Sequence, residues 1–316
     1  MSSEVKLLQQ QLEQTRANLA IALLFIGIFA VSCSPILIRL SEKEISPNGT
    51  IFFREAIAAV VFGLWSGFNS ARRRISQDES RGTEPHKITQ FMLLIAAGIL
   101  ATASILTFAW SLAQTAVANS TVIHSLVPVF TTLGAWVVFN QHFDRTFLIG
   151  LIIAISGAIA IGVQDVQISV NHLQGDLLSL LSVILYSGYL LLVEQMRSEV
   201  DTSTILLWRC SVGTVLLLPM IFIAKEQLFP TSFSGWLAVI SVAIVGQVIG
   251  QGLVAYSLKK LSSGFVALSF LLSPALSAIL AWFVFSENLS LLNWLSFFVI
   301  LLGIYLAIST QEVVNK

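Results

Sequence analysis

Apolar stretches of about 20 residues recur along almost the whole chain, and short polar segments separate them. A helix of about 20 apolar residues is long enough to span the hydrocarbon core of a bilayer. Ten such stretches can be delimited by polar residues, at 18–40, 47–68, 89–112, 116–139, 146–163, 176–196, 203–224, 235–258, 264–285 and 290–309. We therefore predict an all-α integral membrane protein with ten transmembrane helices.

The composition excludes most soluble folds. Only 11% of the 316 residues are charged and 56% are hydrophobic, whereas an ordinary soluble domain has about 25% charged residues. Basic and acidic residues number 17 each, so the net charge of zero gives no indication of a nucleic-acid partner. Cys33 and Cys210 lie in apolar stretches, and the histidines do not stand at metal-ligand spacing. We expect no disulfide framework, no metal site and no other cofactor.

Basic residues in the connecting segments predict the orientation, because cytoplasmic loops hold an excess of Lys and Arg. With a cytoplasmic N terminus, twelve of the 17 basic residues lie in inner segments, three in outer segments and two inside spans. We therefore predict a multi-pass protein of the inner or plasma membrane, surrounded by lipid, with both termini cytoplasmic. The cytoplasmic parts are an N-terminal segment at 1–17, a loop at 69–88 and a tail at 310–316.

The chain contains an internal repeat of membrane length. Residues 108–162 align with residues 254–308 at a constant offset of 146, with ten identities in 55 positions and no gap. The identities include a residue type that is rare in spans, since Pro128 aligns with Pro274. A repeat of this length is typical of transporters that are built from two similar halves.

Each half contains five predicted spans, in a first repeat at 18–163 and a second repeat at 176–309. The second span of each half carries one arginine near its start, Arg54 in the sequence IFFRE and Arg209 in LLWRC. Because five is an odd number, the second repeat enters the membrane in the opposite orientation to the first. We therefore predict two inverted five-helix repeats.

The two arginines are the most informative residues inside the spans. Each lies about 10 Å from one end of its helix, at 1.5 Å per residue, and an arginine at the centre of a membrane helix costs about 2.5–3.5 kcal/mol on insertion scales. Arg54 and Arg209 therefore need a partner or a water-filled cavity. Two interpretations are open: they contact an anionic group of a solute or close a gate, or they act as structural clamps at helix ends.

For the other polar residues inside the spans, a functional and a structural interpretation are likewise both open. Gln247 and Gln251 are four residues apart and share a helix face, where they could bind a solute or hydrogen-bond neighbouring helices. Tyr186 could belong to an aromatic wall or simply pack. Glu55 and His124 are candidates for proton coupling, with a polar interhelical contact and a packed histidine as the alternatives.

Three prolines lie inside predicted spans, Pro35, Pro128 and Pro274. Proline removes a backbone donor and tends to kink a helix, and broken helices can line a transport cavity. We predict that these positions form kinks or hinges, and Pro128 and Pro274 do so at equivalent places in the two repeats. A bend that only improves packing is the alternative.

Two stretches resemble the signature region of the EamA family in the drug/metabolite transporter superfamily. They are LVPVFTTLGAWVVFNQHF from Leu126 and LSPALSAILAWFVFSENLS from Leu272. The order and doubling of these motifs match the family across residues 18–309. One position departs from the resemblance, because the acidic residue after the fourth helix of a repeat is Glu287 in the second half and Gln141 in the first.

The resemblance implies a secondary transporter that moves a small metabolite, such as an amino acid or a similar amphipathic solute, in the export direction by alternating access. Proton coupling is an expectation from the buried Glu55 and the absence of a nucleotide-binding loop. The alternative is a structural or regulatory membrane protein without a transport cycle. An enzyme is not expected, since no HExxH or nucleophile motif is present. The sequence does not indicate an oligomeric state.

Overall fold

The computed structural model of the protein describes residues 3–41, 43–75, 88–112, 114, 123–162, 173–197, 199–224, 229–285 and 291–309, and the regular elements over these residues are helices. In chain order they are α1 (Ser3–Ser32), α2 (Ser34–Ser41), α3 (Pro47–Ile75), α4 (Ile88–Leu112), α5 (Val127–Phe139), α6 (Arg145–Gly162), α7 (Leu173–Met196), α8 (Thr202–Ala224), α9 (Phe233–Ser241), α10 (Gly252–Ser257), α11 (Ser263–Ser269), α12 (Leu272–Phe285) and α13 (Leu291–Ile308). A π-helical stretch, Val242–Gln251, joins α9 to α10 and is called the π segment below. The all-α prediction is confirmed.

Seven helical runs are long and apolar enough to cross a membrane, which confirms an integral membrane protein with several spans. These runs are Ala17–Ile38, Asn48–Phe68, Ile88–Phe108, Leu173–Met196, Thr202–Ile223, Phe233–Ser257 and Ser263–Val284. The other three predicted spans contain the shorter apolar helices of α5, α6 and α13. The count of ten spans therefore remains a prediction.

Two helices extend beyond the predicted spans. α1 begins at Ser3, so the polar N-terminal segment and the first apolar stretch form one helix. α3 continues to Ile75, seven residues into the predicted loop at 69–88. Its last turns contain three consecutive arginines, and arginine is a good helix former. The rest of that loop before Ile88 and the predicted tail at 310–316 lie outside the described residues.

Helices of the first repeat pack mainly against helices of the second. α4 packs on α7 and α8, α3 packs on α8, and α6 packs on α13. The π segment packs on α1 and α3. The largest group of buried apolar side chains accordingly contains residues of both repeats. Among the described residues, the main core is therefore shared by the two repeats.

Small residues bring α6 and α13 into backbone contact. A Cβ atom at Gly150 would lie 2.6 Å from the Gly303 carbonyl oxygen, and one at Gly157 would lie 3.0 Å from the Ser296 carbonyl oxygen. Small residues are the usual means of close helix approach in membranes. Because the start of each helix meets the end of the other, the two helices run antiparallel.

Two loop glutamates each bind the start of a helix in the other repeat. Glu44, before α3, accepts hydrogen bonds from the Ser232 hydroxyl and, at 2.9 Å, from the Ser232 backbone N–H at the N-cap of α9. These bonds hold the pKa of the Glu44 carboxyl below its usual value. Glu199, before α8, accepts a 2.6 Å bond from the amide of Gln90 in the first turn of α4. The two contacts therefore connect the loops of each repeat to the other repeat.

Candidate functional site

A cavity of about 340 Å³ lies between the two repeats. Four of the five residues that we predict along the solute route line it: Arg54, Arg209, Tyr186 and Gln251. The apolar lining residues include Ile105, Phe108, Phe270 and Leu271. A pocket with mostly apolar walls and a few polar groups is the usual form of a small-molecule site. The structure therefore brings most of the predicted route to one place.

Arg54 is held by the fifth predicted residue, Gln247. The Nε and Nη2 groups of Arg54 donate to the same oxygen, Gln247 Oε1, at 3.0 and 2.7 Å. The arginine is 8% exposed and the glutamine is fully buried, in the π segment behind the cavity wall. A guanidinium remains charged in proteins, so this amide oxygen stabilises a buried charge. The contact matches the clamp interpretation for Arg54.

Glu55 lies between the two arginines. Its Oε1 atom is 3.6 Å from Arg209 Nη2, and its Oε2 atom accepts a 3.4 Å hydrogen bond from Gln247 Nε2. The carboxylate is buried, with 4% of the residue exposed. Glu55 thus makes a contact between the repeats, as the structural alternative for this residue predicts. The cluster contains two guanidinium groups and one carboxylate, an excess of one positive charge over these three side chains.

Arg209 has weaker partners than Arg54. Its guanidinium carbon lies 5.3 Å from the centre of the Tyr189 ring, in a cation–π contact. Its Nε and Nη1 atoms are buried and make no hydrogen bond. The ion pair with Glu55, at 3.6 Å, is longer than a normal N–H···O hydrogen bond. Arg54 is therefore satisfied, whereas Arg209, which also lines the cavity, has two buried donors without an acceptor.

The remaining candidates line the cavity beside these charges. Tyr186 and Gln251 both line the cavity. The His124 ring packs against Phe108 and Tyr186, with centroids 4.9 and 6.2 Å apart. The Gln251 amide and the Tyr186 hydroxyl thus supply polar groups at the wall, while the histidine packs among aromatic rings.

Each predicted kink proline lies in the first turn of a helix that follows a break. Pro35 is the second residue of α2, Pro128 the second of α5 and Pro274 the third of α12. The first turn of a helix tolerates proline because its N–H has no partner within the helix. Turns precede α5 at 125–126 and α12 at 270–271, and Pro128 and Pro274 both line the cavity. The three prolines therefore follow short turns in the helical pattern, and their role as hinges stays a prediction.

The sequence did not single out a second polar cluster, centred on Glu194 near the end of α7. Glu194 accepts hydrogen bonds from Gln141 Nε2 at 3.0 Å, from Arg197 Nη2 at 3.3 Å and from the Ser263 backbone N–H at 3.1 Å. Arg197 also donates to the Leu261 carbonyl at 2.7 Å. One buried carboxylate thus joins α7 to the segment after α5 and to the start of α11.

This cluster accounts for the departure at Gln141. A glutamate at 141 would face the carboxylate of Glu194 without a donor, whereas the glutamine amide donates to it. The repeat-equivalent residue, Glu287, lies outside the described residues. Two observations in the sequence pointed to this cluster. They are an acidic residue inside the sixth predicted span and the absence of an acidic residue at 141.

Gln141→Glu is expected to lower the free energy of unfolding by about 2 kcal/mol, because it removes a hydrogen bond to a charged group and adds a like charge. Unfolding in mixed detergent micelles would measure the loss. Gln195→Glu is the matched control, since it makes the same change at an exposed position in α7. Equal stability of the two variants would contradict the role of Gln141.

Comparisons with known proteins agree with the fold and the repeat. A family model described as the EamA-like transporter family matches residues 18–163 and 173–309. An uncharacterized transporter of Archaeoglobus fulgidus is 22% identical over 281 residues, covering 88% of this chain and 93% of that protein. The uncharacterized transporter YdfC of Bacillus subtilis is 23% identical over 191 residues, which cover 60% of this chain and 61% of the relative. A solved crystal structure aligns with a TM-score of 0.74 at 15% identity, over 92% of this chain and 96% of that one, which supports the fold alone.

Proposed function

Because the chain belongs to the EamA-like transporter family, within the drug/metabolite transporter superfamily, we propose that it is a secondary transporter of a small amphipathic organic solute. The cavity between the repeats carries this proposal. Charged and polar side chains meet apolar walls there, in a volume of about 340 Å³ that suits a small metabolite. The proposed direction is export, and the proposed solute is an amino acid or a similar compound.

We place ten spans in the membrane as two inverted five-helix repeats, with both termini cytoplasmic. The antiparallel contact between α6 and α13 supports the inversion, because these helices are the fifth spans of the two repeats. The excess of Lys and Arg in the proposed inner segments supports the orientation. The proposed repeats comprise residues 18–163 and 176–309.

Alternating access in this arrangement depends on closing one end of the cavity at a time. In the proposed orientation the Glu194 cluster lies at the cytoplasmic side. There it joins one segment of the first repeat to two segments of the second. Residues of the outer halves of their spans, such as Phe108 and His124, line the cavity. The described conformation therefore fits a state that is closed to the cytoplasm, and the helix breaks beside Pro128 and Pro274 supply bending points for its conversion.

Proton coupling is assigned to Glu55, with His124 as the second candidate. The Glu55 carboxylate interacts with Arg209 and with Gln247 at the same time. A proton on Glu55 would remove its attraction for Arg209 and so change the charge that the cavity presents to a solute. Export driven by an inward proton gradient requires that the proton and the solute bind in exchange for each other.

A solute screen in proteoliposomes, with and without an imposed pH gradient, tests the proposal. We expect Arg54→Ala and Arg209→Ala to reduce the transport rate at least about tenfold, since each removes a charge-assisted contact. Arg145→Ala removes an exposed arginine at the start of α6 and serves as the control. Folded Arg54 and Arg209 variants with the parental rate would contradict the site, and transport that ignores the gradient would contradict proton coupling.

The cavity argues against the alternative of a purely structural or regulatory protein. Side chains that act only as helix contacts do not require a space of about 340 Å³ beside them. The matches to transporters also favour transport over an enzymatic reaction.

A further inference from the structure

The two arginines of the cavity differ in how well their donors are satisfied. Arg54 gives two N–H groups to Gln247, whereas the Nε and Nη1 atoms of Arg209 are buried without any acceptor. Buried polar groups in native proteins nearly always have a partner. Arg209 is 6% exposed and lines the cavity, so its incompletely satisfied guanidinium is placed to bind a ligand there.

The charge of a ligand that suits this site follows from the side chains around it. Arg54 and Arg209 carry two positive charges. Among the described residues, Glu55 supplies the negative charge of this cluster, through its contacts with Arg209 and with Gln247. One positive charge is left in excess, so a single anionic group balances the site. A carboxylate presents two oxygens that match the planar guanidinium, which makes arginine the preferred partner of carboxylates.

The cavity wall also limits the rest of the ligand, because it offers little to stabilise a positive charge on it. Of the described lining residues, only the two arginines carry a charge, so none of them offers a carboxylate to an ammonium group. Ser104 and Ser182 bond to each other, so part of the polar lining is already used. Phe108 and Phe270 supply apolar surface.

We infer that Arg209 is the anchor for a solute with one carboxylate, no ammonium group and an apolar body. This inference rests on the proposed function, because it names the substrate class of the same cavity. Within the proposed class of small amphipathic organic solutes, it favours monocarboxylates such as oxo acids or aryl acids over amino acids. Arg54, whose donors are used by Gln247, holds the cavity wall in place.

Binding to the detergent-solubilised full chain tests the inference without transport. The probes are 3-phenylpropionate with its amide, 3-phenylpropionamide, and isobutyrate with isobutyramide, each measured by the rise in Tm. Phenylalanine, phenethylamine and inorganic phosphate are added as separate arms. We expect the carboxylates to raise Tm and the amides, the amine and phosphate to leave it unchanged, with phenylalanine weaker than 3-phenylpropionate.

Binding measurements on the parental protein alone can overturn the inference. The contradicting results are a rise in Tm with the amides equal to that with the carboxylates, a stronger effect of phenylalanine or phenethylamine, and an equal effect of phosphate. The last result would indicate a site for inorganic anions. No rise with either carboxylate would also overturn it, since the two differ in size and share the proposed anchor group.

Variants locate the anchor. Arg209→Gln is expected to raise the Kd of 3-phenylpropionate about 10- to 150-fold, the cost of a hydrogen bond to a charged group. Arg209→Lys is expected to weaken binding as well, because lysine keeps the charge but not the planar donors. Arg145→Gln is the control for loss of a positive charge outside the cavity. Parental affinity in a folded Arg209→Gln protein would show that another group binds the carboxylate.

The inference and the proposed function can fail separately. Carboxylate binding in detergent with no flux of the same compound in proteoliposomes would contradict transport and leave the anchor in place. Transport of amines or neutral solutes, with no preference for carboxylates, would support transport and contradict the anchor.

Discussion

Replacement of Gln247 by leucine is expected to lower the free energy of unfolding by about 3 kcal/mol. The substitution removes the oxygen that accepts both the Nε and the Nη2 bonds of Arg54. It also removes the donor to Glu55. Arg54 remains charged and buried after the change, and a buried charge that loses its partner costs about 3–5 kcal/mol. A hydrophobic residue of similar size at 247 cannot replace the lost bonds.

Unfolding of the purified protein in mixed detergent micelles would measure this loss. Gln195→Leu provides the control, because it makes the same replacement at an exposed site on α7. The double variant Arg54→Leu with Gln247→Leu is expected to recover much of the loss, since it removes the unpaired charge as well. A Gln247→Leu protein as stable as the parent would contradict the clamp.

Gly303→Leu is expected to lower the free energy of unfolding by about 3 kcal/mol or more. A Cβ atom at this position would lie 2.5 Å from both the Ala154 backbone nitrogen and the Gly150 carbonyl oxygen. These neighbours are backbone atoms, so α6 and α13 would have to move apart, and overpacking of a tight contact typically costs about 1–3 kcal/mol. Leucine has a high helix propensity, so the helix itself is not the source of the loss.

Gly67→Leu is the matched control for this experiment. Gly67 lies in α3, and an added Cβ there would meet no atom within 4 Å. We expect this variant to be as stable as the parent, because it also replaces a poor helix former by a good one. A similar loss in both variants would contradict the close contact at Gly303 as the cause, because Gly67 has no such contact.

The sequence predicted the helices and the repeat because both depend on local regularities. Spans follow from runs of apolar residues, and the equivalence of Arg54 and Arg209 follows from their neighbours along the chain. The role of each arginine does not follow in this way. The partner of Arg54 is 193 residues away in the chain, and only the packing of α3 against the π segment brings the two together.

The sequence predicts the same role for the two arginines, whereas the structure gives them different partners. The difference arises because their surroundings diverged between the repeats. Gln247 accepts from Arg54, whereas Arg209 has a tyrosine ring and a more distant carboxylate. Gln247 also lies in a π-helical turn, which is often associated with functional sites. Helical periodicity placed Gln247 and Gln251 on one face but did not predict the widened turn.

The Glu194 cluster escaped sequence reasoning for a related reason. Its members come from α7, from the segment after α5 and from the start of α11, so no spacing rule connects them. The substitution at Gln141 was visible as a departure from the resemblance. Its cause required the position of Glu194, because the amide serves as a donor to a carboxylate in the other repeat.

The contact between α6 and α13 has the form of an isologous dimer interface within one chain. Gly303 faces Gly150 and Ala154, and Gly157 faces Ser296 and Ile300, which are the same positions with the repeats exchanged. In such an interface each surface is complementary to its own copy. The same four-residue spacing therefore serves both sides of the contact, as Gly150 and Ala154 in α6 and as Ser296 and Ile300 in α13.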